Sequence, residues 1–183
     1  MTSYLPSVIK QFKYYKSLGD KTLSVLSLDE LKFEFKEDSN SIAIIVKHLS
    51  GNMLSRWTNF LTEDGEKTWR NRDDEFIDTY NSKEEILIAW NKSWNCLFDA
   101  ITALNDDELE NIIYIRNHGH TVVEAINRQM MHYAYHIGQM VFLGKLIKEK
   151  NWQSLSIAKG KSKDYNKEKF SKEKNRIHFT EDL

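Results

Sequence analysis

Residues 121–150, TVVEAINRQMMHYAYHIGQMVFLGKLIKEK, decide the fold. Thr121 followed by Glu124 is a capping box, the reciprocal pair that satisfies the free backbone N–H groups where a helix starts. Val122, Ile126, Met130, Tyr133, Ile137, Met140, Val141 and Gly144 then recur at spacings of three and four, so they share one stripe of a helix reaching about Lys150. A helix that long with one apolar stripe needs other helices to cover it.

Three further segments supply them. The first runs from about Leu5 to Leu26 and is the least regular, with Val8, Ile9, Phe12, Tyr15, Leu18 and Leu23. The second follows the break Glu37-Asp38-Ser39-Asn40, is capped by Asn40 or Ser41, and carries Ile42, Ile45, Val46, Leu49, Met53, Trp57 and Phe60 on one face. The third starts at Ser82, with Glu85 completing a capping-box pattern, and continues through Ile86, Trp90, Trp94, Leu97, Ile101 and Leu104. Pro6 is the single proline, as long helices require. Four amphipathic helices predict an all-α four-helix bundle. Residues 112–120 (IIYIRNHGH) alternate apolar and polar around a glycine, which predicts a short hairpin before the last helix.

The segment 62–81 (TEDGEKTWRNRDDEFIDTYN) reads as a long loop, too polar to be a buried element. Long ordered loops in small domains are often functional. From Lys159 the chain holds eight Lys/Arg against five Asp/Glu, so residues 159–183 are expected to form a solvated charged extension beyond a bundle domain over 1–158. A chain of 183 residues with net charge -1 suits one domain and provides no field that would draw nucleic acid. A single cysteine, Cys96, excludes an internal disulfide and a multi-cysteine zinc knuckle, and its expected place is a small buried core position. The absence of a signal-peptide pattern at the N-terminus and of any membrane-length apolar run gives the expectation of a cytoplasmic protein without membrane partners.

The six histidines are not equivalent. His132 and His136 lie one turn apart on one face of the last helix, on a shoulder of its apolar stripe, and His48 occupies the corresponding shoulder of the second helix. Three imidazoles so placed can hold a divalent ion and leave a position open for water or substrate; the same pattern also arises from ordinary core-edge histidines. Tyr133 stands where a zinc protease needs its glutamate, and Ile45 and Gln129 stand where a di-iron bundle needs acids, so neither mechanism applies. His118, His120 and His178 are expected in solvent.

The H-x-x-G-N segment from His48 to Asn52, the loop Trp69-Arg70-Asn71-Arg72-Asp73, and the H-x-x-x-H-x-G-Q segment from His132 to Gln139 resemble the DinB-like (YfiT-like) superfamily, and within it the DUF1572 branch. The resemblance covers roughly residues 5–160. It implies an up-down-down-up four-helix bundle, often a homodimer, with a metal held by three histidines, here His48, His132 and His136. Characterised relatives include transferases and isomerases that use bacillithiol, mycothiol or glutathione.

Two functions of different class follow. One is a metal-dependent enzyme, with zinc or nickel as the expected ion and a low-molecular-weight thiol or a water as nucleophile. The other is a non-catalytic or stress-related bundle in which the metal or a dimer interface is structural. Asn52 and Gln139 are candidates to orient ligands. Arg70 or Arg72 could receive a substrate carboxylate or phosphate, or else knot the loop to the bundle. Arg56, close to an apolar stripe, is expected to pair with Asp73 or Glu75 or to reach the site. Arg128 falls on the outer side of its helix and carries less weight.

Overall fold

The computed structural model describes residues 3–36 and 39–181; Glu37 and Asp38, in the expected break, lie outside them. The protein is mostly helical. Six α-helices are present among the described residues: α1 (Tyr4–Val25), α2 (Leu28–Lys32), α3 (Ile42–Trp57), α4 (Lys83–Thr102), α5 (Val122–Lys148) and α6 (Ser162–Phe170). The strands β1 (Ile112–Ile115) and β2 (His118–Thr121) pair antiparallel just before α5.

The capping signals operate as written. Thr121 Oγ1 accepts from the Glu124 N–H at 3.1 Å while the Glu124 carboxylate accepts from the Thr121 N–H at 2.8 Å. Ser82 Oγ accepts from Glu85 N–H, and Ser41 Oγ from Ile44 N–H. The Glu85 carboxylate reaches the N–H of Asn81 rather than that of Ser82. One helix escaped the periodicity argument. Ser27 and Glu30 form a reciprocal capping box on α2, which is too short to show a repeat. The second predicted helix also stops early. Asn59 has φ of +48°, so Phe60 leaves the helix yet stays buried.

The four long helices enclose one core. α1 packs on α4 and α5, and α3 packs on α4 and α5. Phe12, Trp90, Trp94 and Tyr133 are fully buried at its centre, where Phe12 meets Trp94 and Tyr133 at ring distances of 6.3 and 6.0 Å. Trp90 lies across α1 only because residue 19 is glycine, since a Cβ there would run into the indole. α5 is tied down at both ends: Tyr4 Oη donates to Asn127 at 2.7 Å, and Lys148 bridges to Glu30 at 2.8 Å.

The hairpin turns on Arg116 and Asn117, at φ of +56° and +59°, the left-handed pair that matches strand twist. Gly119, expected in the turn, lies in β2. Asp64 clasps this turn, accepting from the backbone N–H of Arg116 and of Asn117 at 2.8 Å each. The segment 62–81 is therefore not simply a solvated loop: Gly65, Lys67 and Glu75 are buried, and Asp73–Phe76 form a 3₁₀ turn against α3. Its polarity is absorbed by ion pairs, as buried charge requires. The extension after residue 158 is also more ordered than expected. α6 has no buried residue, but beyond it His178 bonds Ser7 at 3.1 Å and Glu181 pairs with Lys10.

Candidate metal centre

His48 projects from the middle of α3, and His132 and His136 from successive turns of α5. One ligand atom from each lies within 4.8 Å of the other two. His48 Nε2 and His132 Nε2 are 3.3 Å apart. Two nitrogens each about 2.0–2.1 Å from a shared tetrahedral ion stand about 3.3–3.4 Å apart, so this spacing fits a zinc-class ion.

The protonation pattern fits as well. His48 Nδ1 lies 2.9 Å from Glu75 Oε2, and His136 Nδ1 lies 2.8 Å from Gln139 Oε1. Both partners are acceptors, so each Nδ1 carries a proton and each Nε2 is the atom turned toward the other rings. Burial, with the neighbouring His136 and His48, pushes the His132 imidazole down to about 3, and burial lowers His136 too. Neutral imidazoles bind a cation without first releasing a proton.

Glu75 is the residue that sequence reasoning did not place here. It is 5% exposed. Burial opposes its charge, but the hydrogen bonds from His48 and Arg70 overcome this and hold it below the usual carboxylate range. Arg70 grips it from both sides of the fork, Nε to Oε1 at 2.7 Å and Nη2 to Oε2 at 2.9 Å. The carboxylate reaches α3 only because residue 51 is glycine: a Cβ at Gly51 would collide with it. Glycine is costly inside a helix, so Gly51, three residues after His48, was the readable signal. Phe76, in the same turn, stacks on the His48 ring at 5.1 Å and 27°.

The other expected residues divide. Gln139 meets His136. Asn52 Oδ1 accepts from Tyr133 Oη at 3.1 Å, and Tyr133 in turn accepts from Trp57 Nε1 at 3.0 Å, a buried chain that sets α3 against α5 beside the histidines. Arg56 pairs not with Asp73 or Glu75 but with Glu66 at 3.0 Å and with the Gly65 carbonyl. Asp73 is exposed and unavailable to it, whereas the buried Glu75 is already taken by Arg70. The Arg70 side chain is 2% exposed and serves Glu75, whereas Arg72 stays exposed, its guanidinium 5.3 Å from the Phe76 ring centre. Arg128 is also exposed but sits one turn before His132 and turns toward His120, 3.3 Å away. His120 and His178, expected in solvent, are half-buried by these contacts, while His118 is exposed.

A cavity of about 300 Å³ opens over the histidines and is also lined by Asn52, Gln129 and five arginines. Two larger hollows, of about 700 and 870 Å³, lie elsewhere and hold neither histidine nor arginine. Cys96 lines the second of these and is half-buried rather than a core residue, with Thr58 Oγ1 3.6 Å from its sulfur.

The family model for DUF1572, described as a protein of unknown function, matches residues 1–161. The chain belongs to the DUF1572 family. The match ends just before α6. Comparison with curated proteins and with solved structures found no match.

Proposed function

We propose that this DUF1572 protein is a metal-dependent enzyme in which His48, His132 and His136 hold one divalent ion, zinc or nickel, and a small thiol is the co-substrate of a transfer reaction. The observation that carries the reading is the buried Glu75–His48 pair facing the other two imidazoles under an open cavity. A carboxylate behind a histidine fixes its tautomer and raises its basicity, an arrangement typical of metal ligands. Three protein ligands leave a coordination position free. An ion bound there supplies Lewis acidity, which lowers the pKa of a bound water or thiol. Around it the protein's own groups hold the donors still: Arg70 keeps Glu75 ionised, Gln139 orients His136, and Phe76 covers one face of His48. Cys96 lies outside this cavity, so the thiol comes from solution.

The finer architecture belongs to the same proposal. Thr22 lies against Gly144 and Tyr4 against Asn127, so α1 and α5 run together. Ser50 meets Ser93 and Thr58 meets Cys96, so α3 and α4 run together. These pairings support the up-down-down-up order of a DinB-like bundle over residues 1–158, with 159–183 as an appended extension. No described helix is long and apolar enough to cross a membrane, which is compatible with a cytoplasmic setting.

A second reading is a non-catalytic bundle whose metal and dimer interface are structural. It is favoured by the exposed Met131, Tyr135, Phe142 and Leu146, which recur along one face of α5 and fit a homodimer contact. Metal analysis of untagged protein beside His48→Ala and His132→Ala tests the site. One ion per chain in the wild type, lost in both variants, is expected; a wild type that takes up neither zinc nor nickel overturns it. If chelation leaves melting temperature and oligomeric state unchanged, the structural reading falls. If the metal spectrum of the nickel- or cobalt-loaded protein ignores added thiols, thiol transfer falls.

A further inference from the structure

Arg56, Arg70, Arg72, Arg116 and Arg128 line the cavity over the histidines, and among the described residues no carboxylate lines it. Their ion-pair partners are two residues. Glu75 pairs with Arg70, and Glu66 is shared by Arg56, Arg70 and Arg116. Five guanidiniums against two carboxylates leave a strong positive excess in a partly enclosed space, before any metal adds to it. Concave, walled sites focus such a field.

The two arginines without a carboxylate partner among the described residues line the cavity from different elements, Arg72 from the loop and Arg128 from α5. Arg72 lies over Phe76, which stacks on His48, so it stands one ring away from the histidine cluster. Arg128, on α5, is one helical turn from His132, and its guanidinium lies 3.3 Å from the His120 ring nitrogen. The cavity wall also contains unsatisfied buried groups. Arg56 Nε and Gln129 Oε1 are fully buried without a hydrogen-bond partner, on residues 6% and 3% exposed. A buried polar group left unpaired costs stability, and here a donor on α3 and an acceptor on α5 are left so, on the two helices that carry the histidines.

We infer that this cavity recognises a small oxyanion-bearing molecule, whose carboxylate or phosphate group is received by Arg72 and Arg128. The planar fork of arginine matches both oxyanions. The cavity lies at the small end of ligand sites, which suits a compact metabolite rather than a peptide or nucleic acid. This inference deepens the enzyme reading by naming the substrate chemistry at its site, but the arginine pair does not depend on the ion.

The test is calorimetric titration of the full chain with succinate and, separately, inorganic phosphate, each with the metal loaded and after chelation, and with neutral succinamide as the control. Wild type binds at least one anion and not succinamide. Arg72→Gln and Arg128→Gln each weaken that binding about tenfold or more, Arg72→Lys weakens it less than Arg72→Gln, and Lys92→Gln, in the hollow over Cys96, leaves it unchanged. Succinate and phosphate distinguish a carboxylate from a phosphate ligand. Arginine-dependent binding that survives chelation supports the inference. Two results overturn it: neither anion binds the wild type, or both arginine variants bind like wild type and binding disappears with the metal. Metal content is measured in the same samples. A metal-free wild type would sink the enzyme reading and leave the arginine comparison intact.

Discussion

Two layers of the helix cluster, set on different sides of the same turn of α5, are built on opposite principles. Around Tyr133 the layer is aromatic: Phe12, Trp90 and Trp94 are fully buried, and the Trp90 indole N–H and the Tyr133 hydroxyl have partners, while the Trp94 indole N–H has none among the described residues. Around His132 and His136 the layer is polar: neutral imidazoles, a buried ion pair, several cations and two buried atoms with no partner. The first gains stability from area removed from water. The second gives stability up, since charges lose hydration that their partners only partly replace. The aromatic layer supplies the stability margin that makes such a polar layer tolerable.

The largest effect on this contrast comes from breaking its stable side. Trp94→Ala empties a fully buried site and is expected to cost about 3–5 kcal/mol in urea unfolding, with the three histidines themselves intact. Next comes Glu75→Ala, which leaves Arg70 buried without its carboxylate and His48 Nδ1 without its acceptor. About 3–5 kcal/mol of stability is expected to go with the broken pair, and metal affinity is expected to fall about 10–100-fold in a competition titration. A Glu75→Ala protein that binds metal like wild type would mean the pair only fastens the loop.

A sharper version of the same comparison is Gly51→Ala. Alanine favours the helix by about 1 kcal/mol, yet its Cβ runs into Glu75. The expected result is near-unchanged melting with weakened metal binding, and a simple gain in stability with full affinity would refute the role given to Gly51. Smallest is Gln139→Ala, which removes one hydrogen bond to His136, worth about 0.5–1.5 kcal/mol. Its signature is a severalfold loss of metal affinity with only a small fall in unfolding midpoint.

The helices were legible because their signals are local. Thr121 with Glu124, Ser41, Ser82 and the apolar stripes each act within a few residues. The three histidines were readable as one set because helical spacing fixes which side chains share a face. Their supports were not equally readable. Gln139 lies one turn from His136 and was accessible to the same logic, whereas Glu75 reaches His48 from a loop whose path no periodicity describes. Arg128 was discounted because a helical wheel ranks it by distance from the apolar stripe. The cavity lies beside that stripe, and a long guanidinium reaches it from the solvent side. The polar segment 62–81 misled for the same reason: its charges are buried by partners on other elements, and pairing at a distance leaves no mark in composition.

Asp64 grips a turn 52 and 53 residues further along the chain, with all of α4 in between. The two-residue hairpin turn closes by itself within about 1–10 μs, but joining it to Asp64 carries the entropy of a long loop until α4 has folded back. During synthesis, His48 and Glu75 emerge well before the rest of the donor set. A nascent chain halted before residue 132 holds one imidazole of the three, so on the proposed function the full three-histidine set would become available only once α5 has been made.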